Sequence, residues 1–122
     1  MGVKLLIVDD EPFTVEMIST YLQMNGFECT GAHSGTDGLA LLKNTNPALV
    51  ILDLMMPDIE GFEFCERMRS DPQFATIPVL IVSARTDQEA MDRAFNAGAN
   101  DYLTKPFQLA ELMGAVKTLL GG

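Results

Sequence analysis

The sequence predicts an α/β fold: one doubly wound domain built on a five-stranded parallel sheet in the order 2-1-3-4-5. Three observations predict it. Short apolar runs alternate with stretches of helical spacing, in units of about 20–30 residues, the length that right-handed strand–helix–strand crossovers need. The run Ala48 to Leu52 is wholly apolar, with Asn46-Pro47 before it and Pro57 and Gly61 after it. An apolar run bounded by turn residues reads as a strand buried on both faces, as in the middle of a parallel sheet. Finally, four of the five expected strands end in a charged or reactive side chain.

In chain order, strands are expected at about 3–9, 27–32, 48–53, 77–83 and 100–104, within a domain spanning 1–122. Helices are expected at about 12–25, 35–44, 60–69, 86–97 and 107–120. The first strand stops abruptly at Asp9, Asp10 and Glu11, and Pro12 suits the first turn of a helix. Met17, Ile18, Tyr21 and Leu22 give that helix its apolar spacing, and Asn25-Gly26 ends it. Phe27 to Ala32 reads as a weaker strand at a sheet edge. Ser34 suits an N-cap for the second helix, with Leu39 and Leu42 inward. Phe64, Cys65 and Met68 share one face of the third helix.

Pro78 stands near the start of the fourth strand, where its missing N–H is tolerable. The fourth helix shows a thin apolar face of Ala90, Met91, Ala94 and Phe95, with Gly98 as its stop. Leu109, Leu112, Val116 and Leu119 mark the last helix, in which Gly114 costs about 1 kcal/mol relative to Ala. The whole is a flavodoxin-like (βα)5 arrangement.

Composition narrows the function. The 122 residues are 48% hydrophobic and 20% charged, as in an ordinary folded domain, with 17 acidic against 8 basic residues and a net charge of -9. Nucleic acid and anionic membrane select for clustered Lys and Arg, so neither is expected as a direct partner. No stretch approaches the ~20 apolar residues of a membrane span. Cys29 and Cys65 lack metal-ligand spacing and read as small apolar residues of a reduced, cytoplasmic protein. The eight Met residues are expected mostly on inner faces or in the loop after Asp53, and His33 at the surface.

In the 2-1-3-4-5 order the strand order reverses between strands 1 and 3, and ligands bind outside the carboxyl ends of the strands there. Asp9, Asp10 and Asp53 fall at that point. Three converging carboxylates repel one another, so either one is protonated or a cation lies among them. Oxygen ligands suit a hard ion such as Mg2+. Lys105 at the end of strand 5 adds positive charge, and the Ser83 hydroxyl ends strand 4. A cation and a lysine aimed at one carboxylate are equipment for phosphoryl transfer, with Asp53 as nucleophile.

These residues sit in motifs: Asp9-Asp10, Asp53 followed by Met-Met-Pro-Asp-Ile-Glu-Gly, Val-Ser-Ala at 82–84, and Tyr-Leu-Thr-Lys-Pro-Phe at 102–107. In order and spacing they resemble a two-component response-regulator receiver domain, over almost the whole chain. The resemblance implies that Asp53 accepts a phosphoryl group from a phosphohistidine on a sensor histidine kinase or histidine phosphotransfer protein. It implies Mg2+ (or Mn2+) held by Asp10, Asp53 and the Met55 main-chain carbonyl, with Asp9 acting through water. Lys105 and Ser83 would each meet a phosphoryl oxygen, Ser83 and Tyr102 would form the switch, and the Lys105-Pro106 bond would be cis.

Met55 and Arg85, two residues past Asp53 and Ser83, would flank the path of an attacking water. Met55 cannot orient that water, so a long-lived phosphoryl group is expected. The output would be the face made by helix 4, strand 5 and helix 5, read by an effector domain or protein. A phosphorylation-dependent homodimer is one form it could take, although Asn100 and Ala115 stand where a dimerising subfamily tends to carry Asp and Arg. The chain reads either as a stand-alone regulator or as the receiver part of a longer one, a signalling domain that catalyses its own phosphorylation and dephosphorylation rather than an enzyme.

Three other readings compete. An aspartyl-nucleophile phosphatase needs an acid two residues after the nucleophile, where Met55 stands. A flavodoxin-like cofactor carrier would bring its phosphate against Asp9-Asp10-Glu11, which repel it. A binding module that is never phosphorylated has no feature of the site in its favour.

Overall fold

In the computed structural model, which describes residues 2–121, strands β1 (Lys4–Val8), β2 (Glu28–Ala32), β3 (Leu49–Leu52), β4 (Val79–Ser83) and β5 (Asp101–Thr104) alternate with five helices. These are α1 (Pro12–Met24), α2 (Gly35–Thr45), α3 (Gly61–Ser70), α4 (Gln88–Ala97) and α5 (Leu109–Leu119). The outermost residues of the expected 1–122 span, Met1 and Gly122, lie outside the described residues. The sheet order is β2-β1-β3-β4-β5 with every pairing parallel, as the alternation of apolar runs and helices predicts.

β1 and β3 bury both faces. Leu6 and Val8 point into one apolar layer with Leu42 of α2, Phe62, Phe64 and Met68 of α3, and Ala90 and Ala94 of α4. Leu5 and Ile7 point into the other, with Val15, Ile18 and Leu22 of α1 and Leu112 and Val116 of α5. The alternation follows from the two-residue period of a strand, and the continuous apolar runs from a sheet covered on both sides. The edge strand β2 is less buried.

Local chemistry shifts several boundaries inward from the sequence expectation. β4 starts at Val79, because Pro78 has no N–H to give; its carbonyl still accepts from the Val50 N–H at 3.0 Å. α4 starts at Gln88 because the Asp87 carboxylate caps it, accepting from the Ala90 N–H at 3.1 Å. α5 starts at Leu109, where Glu111 reaches back to accept from the Gln108 N–H at 2.9 Å. Ser34 caps α2 by accepting from the Asp37 N–H.

Some expected inward residues face out. Met17 and Met24 on α1 and Phe95 on α4 are exposed, because the buried faces of these helices run through Val15, Ile18 and Leu22 and through Ala90, Ala94 and Ala97. Met56, Met68 and Met113 are buried as packing. Both cysteines are free, and burial pushes each thiol up to about 11, which leaves little thiolate. Among the described residues no helix is long and apolar enough to cross a membrane.

Candidate functional site

The carboxyl ends of β1 and β3 are adjacent in the sheet, so the residue after each strand meets its neighbour. The Asp53 N–H donates to the Val8 carbonyl at 2.9 Å, which pins Asp53 beside the end of β1. Gly61 makes room behind it: a Cβ there would lie 2.5 Å from the Asp53 carbonyl oxygen. Carboxylate oxygens of Asp9, Asp10 and Asp53 all lie within 4.8 Å of one another.

Asp9 and Asp53 are buried, at 3% and 6% exposure, whereas Asp10 opens to solvent. Two buried like charges require compensation, and Lys105 supplies part of it. Its Nζ donates to Asp9 Oδ2 at 2.8 Å and stands 3.8 Å from Asp53 Oδ2. The lysine is therefore bonded to Asp9 and only near Asp53. The Met55 N–H makes a long contact of 3.3 Å to Asp53 Oδ1, and Asp9 Oδ1 accepts from the Glu11 N–H.

The compensation is incomplete. Asp53 is pushed up to about 6, first by burial and next by the Asp9 charge, with a smaller contribution from Asp10; Lys105 and the Met55 N–H oppose this and lose. For Lys105 burial acts downward, yet the Asp9 hydrogen bond and the charges of Asp53, Asp9 and Glu11 hold its ammonium above the ordinary lysine value. An oxygen-rich cluster with excess negative charge and one solvent-facing member fits a hard divalent cation.

Ser83 is fully buried at the end of β4. Its Oγ accepts from the Arg85 N–H at 3.2 Å, and its carbonyl accepts from the Lys105 N–H at 2.8 Å, so the ends of β4 and β5 are tied together at the lysine. The Lys105-Pro106 bond is cis. Tyr102, half-buried against the layer formed by α2, α3 and α4, donates its hydroxyl to the Arg85 carbonyl at 2.8 Å. Met55 is exposed at the rim. The Arg85 guanidinium is engaged by Asp87, with Nε 3.1 Å from Oδ1 and Nη2 2.8 Å from Oδ2.

Two residues near this rim escape a sequence reading of roles. Asp87 had a legible signal, an acid just before a helix with its cap partner three residues on. Asp58 did not. It crosses from the loop after β3 to accept from the Gly35 and Thr36 N–H groups at the start of α2, at 3.0 and 2.8 Å.

Comparison with known proteins follows the same lines. The family model described as response regulator receiver domain matches residues 5–117. The chain is 40% identical over 117 residues, 96% of its length, to the DNA-binding dual master transcriptional regulator RpaA of Synechocystis, of which it covers 48%. To the phosphate regulon transcriptional regulatory protein PhoB of Pseudomonas aeruginosa it is 35% identical over 120 residues, covering 52% of that protein. The chain thus spans about half the length of the curated relatives it matches. Among solved structures, the chemotaxis response regulator CheY4 of Vibrio cholerae superposes with a TM-score of 0.92 at 30% identity, over 98% of this chain and 99% of that one. The receiver domain of the Francisella response regulator 1452 gives 0.89 at 33% identity, over 98% and 97%.

Proposed function

Because the chain belongs to the response regulator receiver domain family, a family of signalling domains, we propose that Asp53 is its phosphoacceptor and that phosphorylation there drives its switch. The observation that carries this is the gathering of Asp9, Asp10 and Asp53 within 4.8 Å, with the Lys105 ammonium at their edge. An Asp53 oxygen attacks the phosphorus of a phosphohistidine; the O–P bond forms as the P–N bond breaks, and the electron pair leaves on the imidazole nitrogen. The donor is a sensor histidine kinase or a histidine phosphotransfer protein.

Asp10, Asp53 and the Met55 main-chain carbonyl would hold Mg2+ or Mn2+, with Asp9 reaching it through water. Bound there, the ion supplies positive charge against the equatorial oxygens of the transferring group. Lys105, bonded to Asp9 before transfer, swings its ammonium to a phosphoryl oxygen, and Ser83 donates its hydroxyl to another. Turning of Ser83 and Tyr102 then alters the α4–β5–α5 face for an effector domain or protein in the cytoplasm, or for a phosphorylation-dependent homodimer. Neither nucleic acid nor membrane is a direct partner of a domain with this charge. The domain catalyses its own phosphorylation and dephosphorylation.

The test is incubation with Mg2+ and acetyl phosphate, followed by intact-mass measurement. A gain of one phosphoryl group, absent in Asp53→Asn, is the expected result; no gain, or a gain that survives the substitution, ends the reading. Met55 and Arg85 set the lifetime of the phosphorylated form, which is long because Met55 offers an attacking water no hydrogen bond. Met55→Asn leaves decay as fast or faster, and a large slowing would count against this role.

A further inference from the structure

Arg85 is held three ways in the loop after β4. Its N–H donates to Ser83 Oγ at 3.2 Å, its carbonyl accepts from the Tyr102 hydroxyl at 2.8 Å, and its guanidinium forms a two-point pair with Asp87. The first two partners are the side chains expected to move on phosphorylation. The third belongs to the start of α4. Asp87 Oδ2 also accepts from the Ala90 N–H, so the carboxylate that grips Arg85 is the N-cap of α4. α4 is in turn anchored to the α3 side: Ala90 and Ala94 are fully buried, and Arg93 lies over the Phe62 ring at 4.1 Å.

We propose that Asp87 is a positioning residue for the switch, one that holds the loop in its unphosphorylated arrangement through Arg85 and ties that arrangement to the first turn of α4. This rests on Asp53 being the phosphoacceptor. When the Ser83 hydroxyl turns toward a phosphoryl oxygen, the main chain at Arg85 is drawn with it, while Asp87 stays with its helix. Either the paired guanidinium lets go or the first turn of α4 follows. In both cases the pair opposes the change, and its strength sets part of the resting bias. An exposed two-point pair of this kind changes an equilibrium by about two- to five-fold.

The experiment compares initial rates of labelling by acetyl phosphate with Mg2+, followed by intact mass, for the parent, Asp87→Asn, Arg85→Gln and the double variant. Asparagine keeps an oxygen for the Ala90 N–H and caps helices as well as aspartate, so α4 is preserved while the charge is lost. At low salt, Asp87→Asn and Arg85→Gln each label about two- to five-fold faster than the parent. The double variant is no faster than either single one, because both remove the same restraint. High salt brings the ratio of the Asp87→Asn rate to the parent rate toward one. Equal or slower labelling of Asp87→Asn, or multiplied effects in the double variant, overturns the proposal while leaving Asp53 as acceptor. Labelling that persists in Asp53→Asn removes the premise itself.

Discussion

Two charge clusters sit at opposite ends of the same sheet, and they are built in opposite ways. At the carboxyl ends of β1 and β3, Asp9 and Asp53 are desolvated against each other, with one ammonium shared unequally between them. At the amino ends of β4 and β5, Arg69 from the last turn of α3 is surrounded by acceptors. It donates to the Gly98 carbonyl from Nε and Nη2 at 3.0 and 2.7 Å, to Asn100 Oδ1 at 2.9 Å, and to the Ile77 and Ala75 carbonyls at 2.8 and 3.2 Å. Asn100 Oδ1 accepts in addition from the Val79 N–H. A half-buried charge with its partners complete fixes geometry; a buried one facing a like charge stores unfavourable energy that a ligand can relieve. The Arg69 cluster is scaffold, and the Asp9–Asp53 cluster is the candidate site.

The scaffold end gives the largest expected effect. Arg69→Met removes the fork that joins α3, the 71–78 loop and the approach to β5, leaving several carbonyls short of donors. Urea unfolding is expected to report a loss of about 2–4 kcal/mol. Arg69→Lys recovers only part of it, since one ammonium cannot reproduce a planar fork. Below the unfolding transition, labelling by acetyl phosphate is unchanged. A loss of labelling in a folded variant would break the division between the two ends.

The site end responds in the opposite direction. Because Asp53 titrates near 6 in the folded protein and near 4 when unfolded, the native state holds its proton more tightly. The contribution of this group to stability is complete below its unfolded pKa and is lost as pH rises through about 6. Without divalent ions, Asp53→Asn is therefore expected to gain on the order of 1–3 kcal/mol at pH 7.5 and little at pH 4. Adding Mg2+ is expected to stabilise the parent and narrow the gap. Urea titrations at the two pH values, with and without the ion, read all of this. Equal stability of parent and variant at pH 7.5 would mean that the acids are not in conflict.

The two ends were also unequally legible in the sequence. Asp9, Asp10, Asp53, Ser83 and Lys105 follow directly from apolar runs, and a parallel sheet delivers the residues after its strands to one rim. Reading where strands stop was enough to gather them. Arg69 left no such trace. Its partners are main-chain carbonyls and an amide up to 31 residues away, and carbonyls look alike in every sequence. Gly98 gave half the clue as a helix stop, with φ of 114°; that a Cβ there would press on Arg69 Cγ at 2.5 Å is a fact of tertiary packing. Helix faces blurred for a similar reason. Met17 and Phe95 fit an apolar spacing, but which side of that spacing is buried depends on the neighbouring layer.

Asp58 lies between the two designs, which is why it gives the smallest and most diagnostic effect. It is exposed and near the site rim, yet it bonds like the scaffold, spanning from the loop after β3 to the free N–H groups of α2. The Thr36 side chain and N–H, then the Gly35 N–H, hold its carboxyl well below the usual carboxylate range. Its contribution is therefore present above the ordinary aspartate value and fades as pH falls below about 4, opposite in sign to that of Asp53. Asp58→Ala should cost about 1 kcal/mol at pH 7 and less at pH 3, the magnitude of a lost helix cap reduced for exposure. Asp58→Asn should retain part of it, since its amide oxygen can serve one of the two N–H groups. The same loop carries Met55, so a loosened Asp58→Ala loop should also change the decay rate of the phosphorylated form. If stability drops while decay does not move, Asp58 serves α2 alone and the loop beside Asp53 is fixed by Gly61 and the main chain.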